Sequence, residues 1–157
     1  MSRWGESVER RIVAPVEQLY ALVADPVWHK DFDGSGALVP PVEIGTAERP
    51  LGVGDRFGMK MDFRGKYTMT STVVEAGSDR RFAWQSRPHV DSSQWRFAFG
   101  GRIWRYEFEA DGDVTLVRES WHLSEEPLRP LMILFLSEVR KNMRLSLDMM
   151  AALVGST

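Results

Sequence analysis

Large apolar side chains recur at every second residue along two stretches of this chain. Phe57, Met59, Met61 and Phe63 alternate with Arg56, Gly58, Lys60 and Asp62, and Trp104, Tyr106 and Phe108 alternate with Ile103, Arg105, Glu107 and Glu109. A period of two puts each apolar set on one face of a β-sheet. Strands are expected over roughly Glu6–Val13, Asp55–Phe63, Lys66–Glu75, Arg81–Ser86, Gly101–Ala110 and Val114–Ser124. Val39–Ile44 reads as an edge or bulged strand, because Pro40 and Pro41 have no N–H for a ladder. Asp-Gly at 111–112 is a strong hairpin signal, and apart from the longer Arg87–Phe99 stretch the other separators between the later strands are short, so neighbours should pair antiparallel. The stretch Arg87–Gly100 reads either as a loop at a pocket rim or as part of a longer strand.

Elsewhere the period lengthens to that of a helix. After Ala14-Pro15, Val16, Leu19, Tyr20 and Val23 form one stripe, which Pro26 ends. Val27–Phe32 predicts a short helical turn presenting Trp28 and Phe32. A final helix starts near Pro127–Pro130 and carries the stripe Met132, Phe135, Leu136, Val139, Met143, Leu147, Met150 and Val154. Glu138, Arg140, Lys141, Arg144 and Asp148 mark its wet side. Only this segment is long enough to cover so aromatic a sheet face. A curved sheet gripping one helix often leaves a cavity, which predicts a pocket for an apolar molecule. The methionines Met59, Met61, Met69, Met132, Met143 and Met150 suit a deformable pocket, though they also serve as ordinary core filler. The run Leu131–Leu136 is apolar around more than one helix face. Burial is the default expectation for it, with a homodimer contact or a membrane surface as the other uses.

Hairpin counting places a polar pair on this face. A two-residue Asp111-Gly112 loop sets Ala110 opposite Asp113, Phe108 opposite Thr115, Tyr106 opposite Val117, Trp104 opposite Glu119 and Arg102 opposite Trp121. Arg102 and Glu119 then become diagonal neighbours on an otherwise apolar wall. In one reading Glu119, with Arg102, Tyr106 or Trp104, orients a polar group of a ligand or moves a proton. In the other, the two form a structural ion pair near a strand end, or Arg102 reaches solvent. For the preceding hairpin, a three-residue loop Arg64-Gly65-Lys66 aligns Phe63 with Tyr67, Met61 with Met69 and Met59 with Ser71, because register follows the hydrophobic pattern.

Composition narrows the chemistry. At 157 residues, with 43% hydrophobic and 27% charged residues, the chain reads as one soluble domain, residues 1–157. A net charge of −2 gives no electrostatic reason to expect nucleic acid. With no cysteine there is no disulfide or thiolate nucleophile, which fits a cytoplasmic location. The first residues lack the apolar stretch of a signal peptide, and no run is long enough for a membrane span. His29, His89 and His122 lack metal-ligand spacing, so neither a metal nor another cofactor is expected. His122 should face outward. His29, beside Trp28 at the expected pocket mouth, is the histidine worth testing, although a surface role is the simpler reading. Ser120 lies in no nucleophile-elbow context, and Gly52-Val53-Gly54 precedes a strand rather than a helix, so it is a turn.

The order strand, helix pair, antiparallel strands, long C-terminal helix resembles the helix-grip fold. The chain looks like the polyketide cyclase/dehydrase and lipid-transport family of the START and birch-pollen-allergen (SRPBCC) superfamily. The residues carrying the likeness are Ala14-Pro15-Val16-Glu17-Gln18-Leu19-Tyr20 with Trp28 beyond, Gly52-Val53-Gly54-Asp55-Arg56-Phe57, Val73-Val74-Glu75, Arg80-Arg81-Phe82-Ala83-Trp84, and Trp104-Arg105-Tyr106-Glu107-Phe108 before Asp111-Gly112. Each motif is loose; their order is the specific part. The resemblance implies an α+β domain, a curved seven-stranded antiparallel sheet wrapped around a long C-terminal helix, with two short helices after the first strand. It implies a cavity for lipids, polyketides, sterols or other aromatics, and carries over no catalytic residue.

The residues expected to line the pocket are Trp28, Phe32, Met59, Met61, Phe63, Tyr67, Met69 and Trp84, then Arg102, Trp104, Tyr106, Phe108, Val117, Glu119 and Trp121, and from the helix Met132, Phe135, Val139 and Met143. The leading functional expectation is a binder of a small hydrophobic molecule. The alternatives are a cyclase or dehydratase with Glu119 as acid/base and Tyr106 or Arg102 orienting a carbonyl, and a protein-interaction domain whose cavity is filled by Trp84, Trp104 and Trp121.

Overall fold

A computed structural model describes residues 4–45, 48–62, 66–77, 80–88 and 100–155. Seven strands form one antiparallel sheet in the order β1-β7-β6-β5-β4-β3-β2. They are β1 (Gly5–Ile12), β2 (Leu38–Glu43), β3 (Arg56–Asp62), β4 (Lys66–Gly77), β5 (Arg81–Pro88), β6 (Arg102–Asp111) and β7 (Val114–His122). From β2 to β7 each strand pairs antiparallel with its neighbour in sequence, through short turns at β3–β4, β4–β5 and β6–β7 and longer connections at β2–β3 and β5–β6. β1 closes on β7 instead, leaving β1 and β2 as the edges. Pro40 and Pro41 are thus on an edge strand, whose register shifts between Val39 and Glu43. A second shift, between Val73 and Glu75 in β4, marks a bulge that bends the sheet.

Between β1 and β2, helix α1 (Val16–Ala24) buries Leu19, Tyr20, Val23 and Ala24. Thr115 Oγ1 donates to Ala14 O at 2.7 Å and pins the turn into α1 onto β7. Asp25 then caps a 3₁₀ turn, Pro26–Asp31, by accepting from Val27 N. The chain finishes with α2 (Arg129–Met132), a 3₁₀ turn (Ile133–Phe135) and α3 (Leu136–Gly155). α3 lays Met143, Leu147, Met150 and Val154 on the sheet. Arg140 with Glu6, and Arg10 with Asp148, tie α3 to β1 at its margins. The fold is the α+β helix-grip arrangement expected from the sequence.

Two registers differ from the counted ones. β6 and β7 turn through Gly112-Asp113, so Ala110 faces Thr115, Phe108 faces Val117, Tyr106 faces Glu119 and Trp104 faces Trp121. The whole ladder is displaced by two residues. Gly112, with φ of 66°, takes the first central position of the turn, a left-handed conformation that glycine adopts without strain. The β3–β4 hairpin is also displaced by two residues, in the opposite direction. Asp62 faces Lys66, Met61 faces Tyr67 and Met59 faces Met69; residues 63–65 between them lie outside the described residues. A shift of two keeps every side chain on its face, so the hydrophobic pattern could not distinguish the alternatives.

The run Leu131–Leu136 also departs from expectation. None of its residues is buried, and Leu131 and Leu134 are 50% and 73% exposed. The chain is turning from α2 into α3 here, before it settles on the sheet. No helix among the described residues is long and apolar enough to cross a membrane.

Candidate ligand-binding cavity

α1 covers one part of the concave face, where Tyr20 meets Phe82 and Phe108 edge-on at 6.1 and 6.0 Å. The neighbouring part is left open beneath α3 as a cavity of about 210 Å³. Strands supply Met59 and Met61 (β3), Tyr67 and Met69 (β4), Trp84 and Ser86 (β5), Arg102, Trp104 and Tyr106 (β6) and Glu119 (β7). α3 supplies Val139, Asn142, Met143 and Ser146, and the 3₁₀ turn, the loop after it and the start of β2 supply His29, Phe32, Asp33, Ser35, Ala37 and Leu38.

Expected residues outside this lining have physical reasons to be there. Phe108 and Val117 are buried at the end of the face that α1 occupies, and Trp121 is buried against Trp104 at 5.9 Å. Met132 is half-buried against the core, and Phe135 is half-buried in the turn before α3. Trp28 is 45% exposed on the outer side of the 3₁₀ turn. Phe63 lies outside the described residues, as do His89 and most of Arg87–Gly100.

The 3₁₀ turn that exposes Trp28 drives His29 inward, so His29 is not a surface histidine. It is 5% exposed, stacks on Trp84 at 4.9 Å, and donates from Nε2 to Val23 O at 2.7 Å. Burial outweighs that hydrogen bond and lowers its pKa to about 4, so the ring is neutral near pH 7. The stack continues from Trp84 to Tyr106 at 6.0 Å and on to Phe108 at 6.4 Å.

Glu119 lies directly across the ladder from Tyr106, whose hydroxyl donates to its carboxyl. The carboxyl is 3% exposed, and its Oε2 has no hydrogen-bond partner. Desolvation raises the Glu119 pKa to about 8, with the Asp33 charge adding to the rise and the Tyr106 bond opposing it. Burial likewise holds the Tyr106 hydroxyl well above its ordinary range. The site therefore presents a neutral carboxylic acid next to a neutral phenol.

Arg102 pairs with Glu126 rather than Glu119. Its Nε lies 3.6 Å from Glu126 Oε2, while Glu126 Oε1 accepts from Gly100 N at 2.5 Å. Glu126 follows the end of β7 and was invisible to counting along the β6–β7 hairpin. Asp33 is held by its own loop: Oδ1 accepts from Ser35 N and Oγ, and Oδ2 from Leu38 N. Gly34 lets that loop press on α3. Its N donates to Ser146 Oγ at 2.8 Å, and a Cβ would overlap the Asn142 carbonyl oxygen. Asn142 and Ser146 were missed because they are polar, although they follow Val139 and Met143 at helical spacing on the cavity side. Ser86 was missed for the same reason, two residues after Trp84.

Residues 6–155 match the family described as polyketide cyclase / dehydrase and lipid transport. An uncharacterized Mycobacterium tuberculosis protein, Rv0088, is 34% identical over 109 residues, 69% of this chain and 41% of that relative. The chain thus spans about two fifths of the length of the curated relatives it matches. Solved structures share the fold at low identity. Protein Ms6760 from Mycobacterium smegmatis superposes with a TM-score of 0.70 at 14% identity, over 98% of this chain and 92% of that one. A protein from Arthrobacter aurescens gives 0.73 at 13% identity, over 98% and 87%. DynU16, from the dynemicin biosynthetic locus, gives 0.66 at 12% identity, over 98% and 48%. With the family match running from β1 to the end of α3, this chain belongs to the polyketide cyclase/dehydrase and lipid-transport family.

Proposed function

We propose that the chain binds a small hydrophobic molecule in the cavity between the sheet and α3. The observation that carries this is the cavity itself, walled by Met59, Met61, Met69, Trp84, Trp104 and Met143. A well-packed interior closes voids of this size, and a dry apolar void of roughly 150 Å³ already accepts benzene. About 210 Å³ suits a molecule of one or two rings or a short branched chain. Family membership supports the same reading. Trp84 and Trp104 act as walls and Trp121 lies outside the lining, so the cavity is not plugged by the three tryptophans. Native mass spectrometry of protein from its own host tests the proposal, followed by titration of tryptophan emission with varied hydrophobes. A retained small molecule, or a saturable emission change, is expected. Neither appearing would overturn it.

The Glu119–Tyr106 contact favours a second reading, an enzyme of the cyclase or dehydratase kind. A carboxyl with a pKa of about 8 is suited to proton transfer near neutral pH. In this reading, turnover of a poly-β-ketone mimic is lost in Glu119→Gln, while binding of the mimic is retained.

A further inference from the structure

Several polar groups of the cavity are committed to partners within the protein. Asp33 is satisfied by Ser35 and Leu38, Ser146 by Gly34, and Ser86 by Ser71 at 2.9 Å. Arg102 is paired with Glu126. Among the described residues, three buried atoms on lining side chains make no hydrogen bond: Arg102 Nε, which is ion-paired with Glu126 at 3.6 Å, and Glu119 Oε2 and Trp84 Nε1. The indole nitrogen can only donate. Since Tyr106 donates into the Glu119 carboxyl, a neutral Glu119 offers its remaining hydrogen outward, also as a donor. A buried donor left unmade is costly, so this part of the wall is shaped for an acceptor.

Charge decides which acceptor. Glu119 faces Tyr106 on β6 and Asp33 in the loop before β2. From β1 it meets Val8, with Glu6 two residues away and held by Arg140 of α3. From α3 come the uncharged Asn142 and Ser146. The neighbouring charge acting on Glu119 is thus negative, and an anion buried beside it would be repelled and desolvated. Taking the cavity to be a ligand site, as proposed above, we infer that Glu119 is a specificity-determining residue that selects an uncharged ligand bearing a carbonyl oxygen, donating a hydrogen bond to it, and rejects carboxylates. The ring system of such a ligand would lie along Trp84 and the methionines.

Calorimetric titration with three matched probes tests this: 2-acetonaphthone, its hydrocarbon isostere 2-isopropenylnaphthalene, and 2-naphthoate. At pH 6.5 the ketone should bind about tenfold more tightly than the hydrocarbon, the worth of one buried hydrogen bond, and the carboxylate more weakly than either. Glu119→Leu should bring the ketone down to the hydrocarbon and leave the hydrocarbon unchanged. If that variant does not fold, the wild-type protein still answers. Ketone affinity should fall as pH rises past about 8, where Glu119 loses its proton, while hydrocarbon affinity stays flat. Equal binding of ketone and hydrocarbon, or tightest binding of the carboxylate, overturns the role of Glu119 and leaves the cavity reading standing. No binding of any probe, the hydrocarbon included, overturns both.

Discussion

Replacing Glu119 by glutamine should change how stability depends on pH more than it changes stability near pH 5. Glutamine keeps the shape of the side chain and an oxygen that accepts from Tyr106, but it cannot ionise. In the folded protein the Glu119 pKa stands at about 8, against 4.5 as its ordinary value. The native state therefore holds a proton that the unfolded chain releases. Stability falls as pH rises from the ordinary value and levels off once pH passes the folded one. Integrating the two titrations gives a loss of about 4 kcal/mol between pH 5 and pH 9 in the parent protein, taking 1.36 kcal/mol per unit. His29 has the opposite slope at the acid end and masks part of this below pH 6.5. Subtracting the Glu119→Gln curve from the parent curve cancels His29. The assay is urea denaturation at five pH values across that range, reading the stability of both proteins at each. The difference should grow in favour of glutamine from about pH 5 to about pH 8 and then level off. A difference that stays flat would refute the claim that Glu119 is buried uncharged beside Tyr106, and the donor role argued for it would fall as well.

Other outcomes follow from other parts of the structure. His29→Phe keeps an aromatic ring on Trp84 but strands Val23 O, so it should cost about 1–3 kcal/mol near pH 7 in calorimetric unfolding. The folded His29 pKa is lowered, so the parent should lose about 3 kcal/mol as pH falls from 6.5 through 4, and this acid-side loss should be missing in the variant. Gly34→Ala places a methyl against the Asn142 carbonyl and should destabilise by at least ~2 kcal/mol, with faster amide exchange over residues 33–38. On the convex face Arg105 grips both Glu75 oxygens, at 2.8 and 2.9 Å, and donates to His122 Nε2. Arg105→Lys loses that fork and should cost about 1 kcal/mol, because the pair is partly solvated. The Arg105 bond holds the Glu75 pKa below its ordinary value, so this contribution is present at neutral pH and fades as pH drops through the folded pKa; acid denaturation midpoints of the two proteins should show the gap closing.

Strands and helices were legible because their periods are local. Alternation along 56–62 and 102–111 and the stripe of 143, 147, 150 and 154 each state which side is buried, and the order of these elements then fixes the fold. Register was legible only to within two residues, since a slip of two leaves every side chain on its own face. That slip is why Tyr106, and not Trp104, stands across from Glu119. The inner walls of the cavity were read from the same alternation, but not its extent. Phe108 and Val117 share the face with Tyr106 and Glu119, and only the position of α1 separates packed core from open cavity.

By itself, then, the sequence determined a helix-grip domain with an aromatic, methionine-rich inner face and one acid among its apolar residues. Tertiary structure decided what that acid is. Glu119 is neutral because the sheet, α3 and the Asp33 loop together remove it from water and give it Tyr106 as a neighbour. Arg102 was the expected partner, but Glu126, arriving from beyond β7, takes it. His29 reads as an ordinary surface residue until the 3₁₀ turn rotates it under Trp84. Period and propensity act over a few residues, whereas desolvation and ion pairing depend on groups far apart in the chain, so the chemistry of the cavity appears only once the fold has closed around it.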